Sequence, residues 1–173
     1  MNFNSVRTEL SHRIARRAER PIMTDYRFIT DWRFAAPLER VWHEIKAIDR
    51  WPEWWSFVVR VELLKRADAE DLGSVRRITW KTALPYTLTF DSELISIEKL
   101  RRMEGRASGE LDGTGIWTFR DDAGTTDVRY DWQVKTTKAW MNLLAPVAGP
   151  LFSWNHNKVM AGGNEGLKKR LQL

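Results

Sequence analysis

Apolar and polar residues alternate at the start of the chain's ordered pattern. Tyr26, Phe28, Trp32 and Phe34 share one face, and Asp25, Arg27, Asp31 and Arg33 take the other. A period of two predicts a strand with one wet side. The period then lengthens: Leu38, Val41, Trp42, Ile45 and Ile48 fall on one helical stripe behind Pro37, which suits a first helical turn. His43 and Glu44 lie off that stripe and are expected in solvent. "WPEWW" then restarts the chain, because Pro52 can open a helical turn but not continue one.

From Phe57 to Lys135 the pattern is strand and turn. Val59, Val61 and Leu63 alternate with Arg60 and Glu62, and residues 67–73 read as a turn. Ile78 and Trp80 share a face with Arg76. "PYTLTFDSELISIEKL" predicts a long strand bulged near Ser92, where the apolar face shifts from Leu88 and Phe90 to Ile95 and Ile97. "GTG" at 113–115 lacks the third glycine of a dinucleotide loop and reads as a turn. Val128, Tyr130, Trp132 and Val134 alternate with Arg129, Asp131 and Gln133. Short turns between such strands predict an antiparallel meander. From Ala139 the chain reads as helix, bent or broken around Pro146 and Pro150, with Phe152, Asn155, His156, Val159, Gly162, Gly163, Gly166 and Leu167 on one stripe. The order is strand, two short helices, six strands, long helix.

The stretch "GRASGELDGTG" is oddly empty. Gly105, Ala107 and Gly109 alternate toward the face that Met103 and Leu111 mark as inner, and the helix stripe is thinned by its own glycines. Two outcomes fit: the helix approaches the sheet closely, or a pocket is held open between them. Trp80, Trp117, Tyr130 and Trp132 on neighbouring strands suit pocket walls and favour the second.

Composition narrows the chemistry. The 173 residues contain no cysteine and three scattered histidines (His12, His43, His156), which removes disulfides and thiolates and leaves no metal-ligand spacing. Ten tryptophans make much of the apolar surface wide and flat, with an N–H that wants a partner. Of the net charge of +5, Arg7, Arg13, Arg16, Arg17 and Arg20 against Glu9 and Glu19 place +3 in residues 1–22. These residues read as a basic extension and 23–173 as the folded domain. The nearly balanced body argues against a nucleic-acid surface. No apolar run reaches membrane-spanning length and no signal-like apolar stretch opens the chain, so a cytoplasmic address is expected.

Three segments together resemble a known family: "FAAPLERVWHEIKAIDRWPEWW", the late hairpin "GELDGTGIWTF" with "TTDVRYDW", and the closing "WMNLLAPVAGPLFSWNHNKVMAGGNEGLKKRL". From about Met23 onward the chain resembles the START-like (SRPBCC) helix-grip superfamily, in its bacterial polyketide cyclase/dehydrase and lipid-transport group. That resemblance implies an α+β helix-grip fold, with a curved seven-stranded antiparallel sheet wrapped around the C-terminal helix and a hydrophobic cavity. It implies a lipid, polyketide or quinone-like ligand and no cofactor. Fold analogy supports a cavity better than a reaction.

No nucleophile constellation is visible, since "GRASG" lacks the G-x-S-x-G spacing. Ligand contacts are expected from Trp80, Phe90, Trp117 and Trp132, from the thin positions Gly105, Ala107 and Gly109, and from Phe152, Asn155 and Val159 on the helix. The leading expectation is a binding protein for an apolar small molecule. The alternative is a cofactor-independent cyclase in the same cavity, with Arg76, Tyr130 and His156 as donor, acid and base. Arg76 has a competing role, paired with Asp91 or Glu93. A third reading uses residues 1–22 on RNA or an anionic surface. Oligomeric state leaves no mark in the sequence.

Overall fold

The computed structural model describes residues 25–67, 71–137 and 139–173, with side chains in the last segment from residue 149. The expectations for residues 1–22, the boundary at 22/23 and part of the 67–73 turn lie outside the described residues. The elements are β1 (Asp25–Phe34), α1 (Leu38–Lys46), a 3-10 turn (Ile48–Arg50), α2 (Trp51–Trp54), β2 (Val58–Lys65), β3 (Val75–Lys81), β4 (Thr87–Glu98), β5 (Arg102–Gly109), β6 (Leu111–Asp122), β7 (Thr125–Thr136) and α3 (Ala139–Leu171). The order matches the one read from periodicity. α3 runs without interruption across Pro146 and Pro150, so of the bend or break expected there the break does not occur. Each proline removes one hydrogen bond of the ladder without ending the run.

The strands form one antiparallel sheet in the order β1-β7-β6-β5-β4-β3-β2, with β1 laid beside the last strand. Register shifts interrupt the β2–β3 pairing between Val58 and Arg60 and between Leu63 and Lys65. Another interrupts β4–β5 between Leu94 and Ser96. An extra residue bends its strand and adds twist, which curves a sheet around a helix. The β4 bulge therefore sits at Ile95 rather than Ser92, and buried Leu94 continues the inner face begun by Leu88 and Phe90. Gly113 and Gly115 lie inside β6, paired with β5 and β7, so "GTG" is strand and not turn. The reversal falls four residues earlier, where Gly109 takes the left-handed φ of 118°.

The outer face carries the polar half of the alternation. Arg27 donates twice to Asp131, at 3.1 and 2.6 Å, and Arg129 twice to Asp31, at 2.7 and 3.0 Å. These forks tie edge strand β1 to β7, though solvent screening leaves exposed pairs of this kind only a small contribution to stability. Glu44 departs from its expected solvation. It is half-buried and meets Arg170 near the end of α3 at 3.3 Å, which joins α1 to the last helix.

The tryptophans of "WPEWW" fill the inner core. Trp51, Trp54 and Trp55 are all buried. The Trp51 indole donates to the Ile45 carbonyl (3.0 Å) and the Trp55 indole to the Val159 carbonyl of α3 (2.8 Å). Trp54 and Trp55 stack with ring centroids 5.4 Å apart. α3 meets them with its glycines: a Cβ on Gly163 would strike the Trp55 ring, one on Gly162 the Phe57 ring, and one on Gly166 the Trp54 carbonyl. The helix glycines therefore do not hold a pocket open. They let aromatic rings and backbone come up against the helix, because close-packed interiors spend missing volume on nearer neighbours.

Gly166→Ala tests that contact. A Cβ there meets backbone that cannot rotate away, so the variant is expected to lose about 2–4 kcal/mol of stability, read as a lower urea midpoint at unchanged slope. An unaltered midpoint would mean that α3 can retreat from α2 without loss.

Candidate functional site

The space that remains lies beyond the glycines, against the preceding turns of α3. There a cavity of about 130 Å³ opens between the inner sheet face and Phe152, Asn155, His156, Val159 and Met160. β1 supplies Tyr26 and Phe28, β3 and β4 supply Trp80, Leu88 and Phe90, and β6 and β7 supply Trp117, Tyr130, Trp132 and Val134. Alternation places them, since each points to the same side of its strand as the neighbour two residues away. Lys81, Thr82, Tyr86 and Thr136 make the polar edge. Lys81 is exposed, so the cavity reaches the surface on that side.

A smaller cavity of about 60 Å³ adjoins it, lined by Ile45, Ile48, Ile78, Leu94 and Met103 together with Ser74, Arg76, Ser92, Gly105 and Gly115. Trp51, Trp80, Phe90, Trp117, Tyr130 and Trp132 border both spaces and form the wall between them. Trp117 stacks on Tyr130 at 4.1 Å, and Tyr130 continues to Trp132 at 5.8 Å. Gly115 makes room for this stack: a Cβ there would strike the Tyr130 hydroxyl and the Trp132 ring. Gly105 pairs with Gly115 across β5 and β6. Part of the volume missing from the sheet is thus occupied by rings leaning over from β7.

The residues singled out from the sequence separate into three groups. Trp80, Phe90, Trp117, Tyr130, Trp132, Phe152, Asn155, His156 and Val159 border the larger cavity. Arg76 and Gly105 border only the smaller one. Ala107 borders neither; it is buried in a cluster with Phe90, Leu111, Trp132 and Val134. Gly109 also borders neither, because it is exposed and serves the reversal into β6. Sequence reasoning passed over Tyr26 and Phe28, although their inward alternation was visible. It also passed over Met160, which lies on the same helical stripe four residues after His156, and the 82–86 turn, for which no periodic signal exists.

Arg76 is held by partners other than Asp91 or Glu93. It grips Asp49 with two hydrogen bonds of 2.9 Å, and its remaining nitrogen meets Asp71 and the Ser74 hydroxyl at 2.7 Å. Asp91 instead takes the exposed Arg77. With its donors directed to two carboxylates, Arg76 anchors the 3-10 turn and the β2–β3 connection to the sheet. Buried guanidinium demands such pairing.

His156 lies flat against Phe28, with centroids 4.4 Å apart, and its Nε2 is 3.2 Å from the Thr30 hydroxyl. Burial lowers its pKa to about 4, so the imidazole is neutral near pH 7. Burial raises the Tyr130 phenol, which stays protonated. Asn155 is buried, and its side-chain carbonyl accepts the Ala83 N–H at 2.8 Å, which ties α3 to the 82–86 turn beside the cavity's polar edge. Thr82 closes that turn on itself through the Tyr86 carbonyl at 2.9 Å. The arrangement offers an aromatic container, one neutral imidazole and one protonated phenol. Among the described residues no helix is long and apolar enough to cross a membrane.

Comparison with known proteins places this geometry. A START superfamily protein from Mycobacterium smegmatis superposes with a TM-score of 0.69 at 12% identity, over 84% of this chain and 97% of that one. A Thermus thermophilus protein gives 0.68 at 19% identity, over 84% and 99%. The Zhui aromatase/cyclase of a Streptomyces species gives 0.60 at 16%, over 84% and 96%. At these identities the likeness is one of fold: the helix-grip architecture is shared. No curated protein matches the sequence. Residues 28–172 match a sequence family described as polyketide cyclase/dehydrase and lipid transport. Spanning the sheet, the cavity and the closing helix alike, that match makes this chain a member of the polyketide cyclase/dehydrase and lipid transport family.

Proposed function

We propose that this protein binds an apolar, ring-bearing small molecule between the inner sheet face and α3. The aromatic lining of the larger cavity carries the reading. Only a few polar groups interrupt it, which is the usual make-up of a small-molecule site. Size refines it. An apolar cavity of roughly 150 Å³ accepts benzene, so 130 Å³ suits about one ring with the wall in this position. A lipid tail, a fused polyketide or a quinone with more rings would need the wall to yield into the smaller cavity.

Isopropylbenzene (cumene) tests the reading without assuming the natural ligand. Calorimetric titration is expected to show binding with a negative heat-capacity change. Val159→Trp, which fills the cavity from α3, is expected to weaken it at least tenfold. An unliganded organic extract of the purified protein, combined with no heat from cumene, would remove the proposal.

A second reading, cyclisation of an enolisable carbonyl compound, rests on His156 and Tyr130 bordering the same space. A neutral imidazole can take a proton from carbon, and a protonated phenol can donate to the developing enolate. The likeness to an aromatase/cyclase fits this chemistry. Arg76 supports it less, because its donors are already committed. His156→Gln is expected to lower kcat on a β-diketone at least a hundredfold while Kd stays within twofold. Equal loss of both would leave binding alone.

The buried imidazole also predicts a pH signature. Its folded pKa near 4 lies below the ordinary 6.5, so the unfolded chain takes the proton first as pH falls. The resulting stability is complete above pH 6.5 and disappears as pH drops toward 4, by up to about 3 kcal/mol. Chemical denaturation at several pH values is expected to show that loss in the native protein and a shallower one in His156→Gln. Parallel pH profiles would count against a buried neutral histidine.

A further inference from the structure

The wall between the two cavities holds a donor without an acceptor. Trp80 borders both spaces, and its Nε1–H is buried with no hydrogen-bond partner among the described residues. Its neighbours differ. Trp51 and Trp55 face the same region, yet each indole reaches a backbone carbonyl. Trp54 also lacks a partner, but it borders neither cavity. Trp80 stands edge-on to the Trp55 ring, with centroids 5.0 Å apart and planes at 88°. Any N–H contact with a ring face is a second-order interaction and does not replace an oxygen acceptor. A buried donor left unmade carries a desolvation cost that phenylalanine at the same place would avoid.

The remaining groups restrict what could satisfy it. The Tyr130 hydroxyl, on the same wall, makes no hydrogen bond among the described residues, and burial is the cause that keeps it protonated. Among the described residues, the lining of the larger cavity has no carboxylate to balance a cation. The one charged side chain among its described lining residues, Lys81, is exposed at the polar edge. Two neutral donors among aromatic rings suit a neutral oxygen acceptor.

Resting on the binding reading above, we infer that the Trp80 indole N–H, which has no water-accessible surface until the dividing wall turns, is the polar anchor of this site and donates to a carbonyl oxygen on an otherwise apolar ring compound, an aryl ketone or quinone. The rings of the wall hold the ligand's apolar body by area, which tolerates many shapes. The indole fixes which end lies against the wall. A site that offers a hydrogen bond also discriminates: a hydrocarbon of the same outline leaves the donor unpaired, whereas the ketone does not.

Acetophenone and cumene share an outline and differ in the carbonyl. Acetophenone is better solvated in water, so the informative quantity is how Trp80→Phe changes the affinity ratio between the two. The substitution removes wall area for both compounds alike and is expected to weaken acetophenone at least fivefold more than cumene. In nitrogen–proton spectra, the indole resonance missing from the variant is expected to move downfield with acetophenone and to shift much less with cumene. That resonance can be assigned through bonds in the unsubstituted protein, so the test survives a variant that fails to fold. An unchanged affinity ratio, or a Trp80 resonance that responds alike to both compounds, would overturn the anchor while leaving the cavity as a binding site. Absence of binding by either compound would remove both.

Discussion

The contact on which the rest depends is the seat of Trp54 and Trp55 against the glycines of α3. Gly162, Gly163 and Gly166 bring the helix down onto aromatic rings and a backbone carbonyl, and the Trp55 indole adds a hydrogen bond to Val159. Dispersion is short-ranged, so this fit holds only at one height and rotation of the helix. Once that end is pinned, the turns carrying Phe152, Asn155, His156 and Val159 face the sheet across an unfilled space. One helix therefore does two jobs along its length: its last turns complete the core, and the turns before them roof a cavity.

The sheet supports this division from below. Bulges in β2 and β4 curve it, and the outer ion pairs hold β1 against β7 without entering the interior. Inside, Gly115 removes a side chain where rings from β7 crowd the sheet, and its pairing partner Gly105 lies beside Ser92. Tyr130 and Trp132 lie down into that relief and stack with Trp117, which makes a partition of what would otherwise be one hollow. Stacked rings fill space well yet turn as flat plates, so a partition of this kind sets the volume available to a ligand by its position. Arg76, beyond it, is committed to Asp49 and Asp71 and stabilises the far end.

Much of the site was legible from residue pattern. Inward alternation pointed to Trp80, Phe90, Trp117, Tyr130 and Trp132, and the helical stripe to Phe152, Asn155, His156 and Val159. The glycines misled because a missing side chain marks either a hollow or a close approach, and the local sequence is the same in both cases. On the helix it marked close approach; at Gly115 it marked seating for rings, and at Gly105 the edge of a small hollow beside Ser92; at Gly109 it marked a reversal of the chain. Arg76 misled for a related reason. Its partners come from the 3-10 turn and the β2–β3 connection, and no periodicity relates those segments to β3.

The sequence by itself determined the elements, their order and which face of each turns inward, because strand and helix periods are local properties of the chain. It also determined an interior rich in indoles with donors to satisfy. Only the tertiary structure decided where volume was left over, which ring fills which gap and which buried N–H lacks an acceptor. Those are differences between the surfaces of segments far apart in the chain, and they acquire values only when the segments meet.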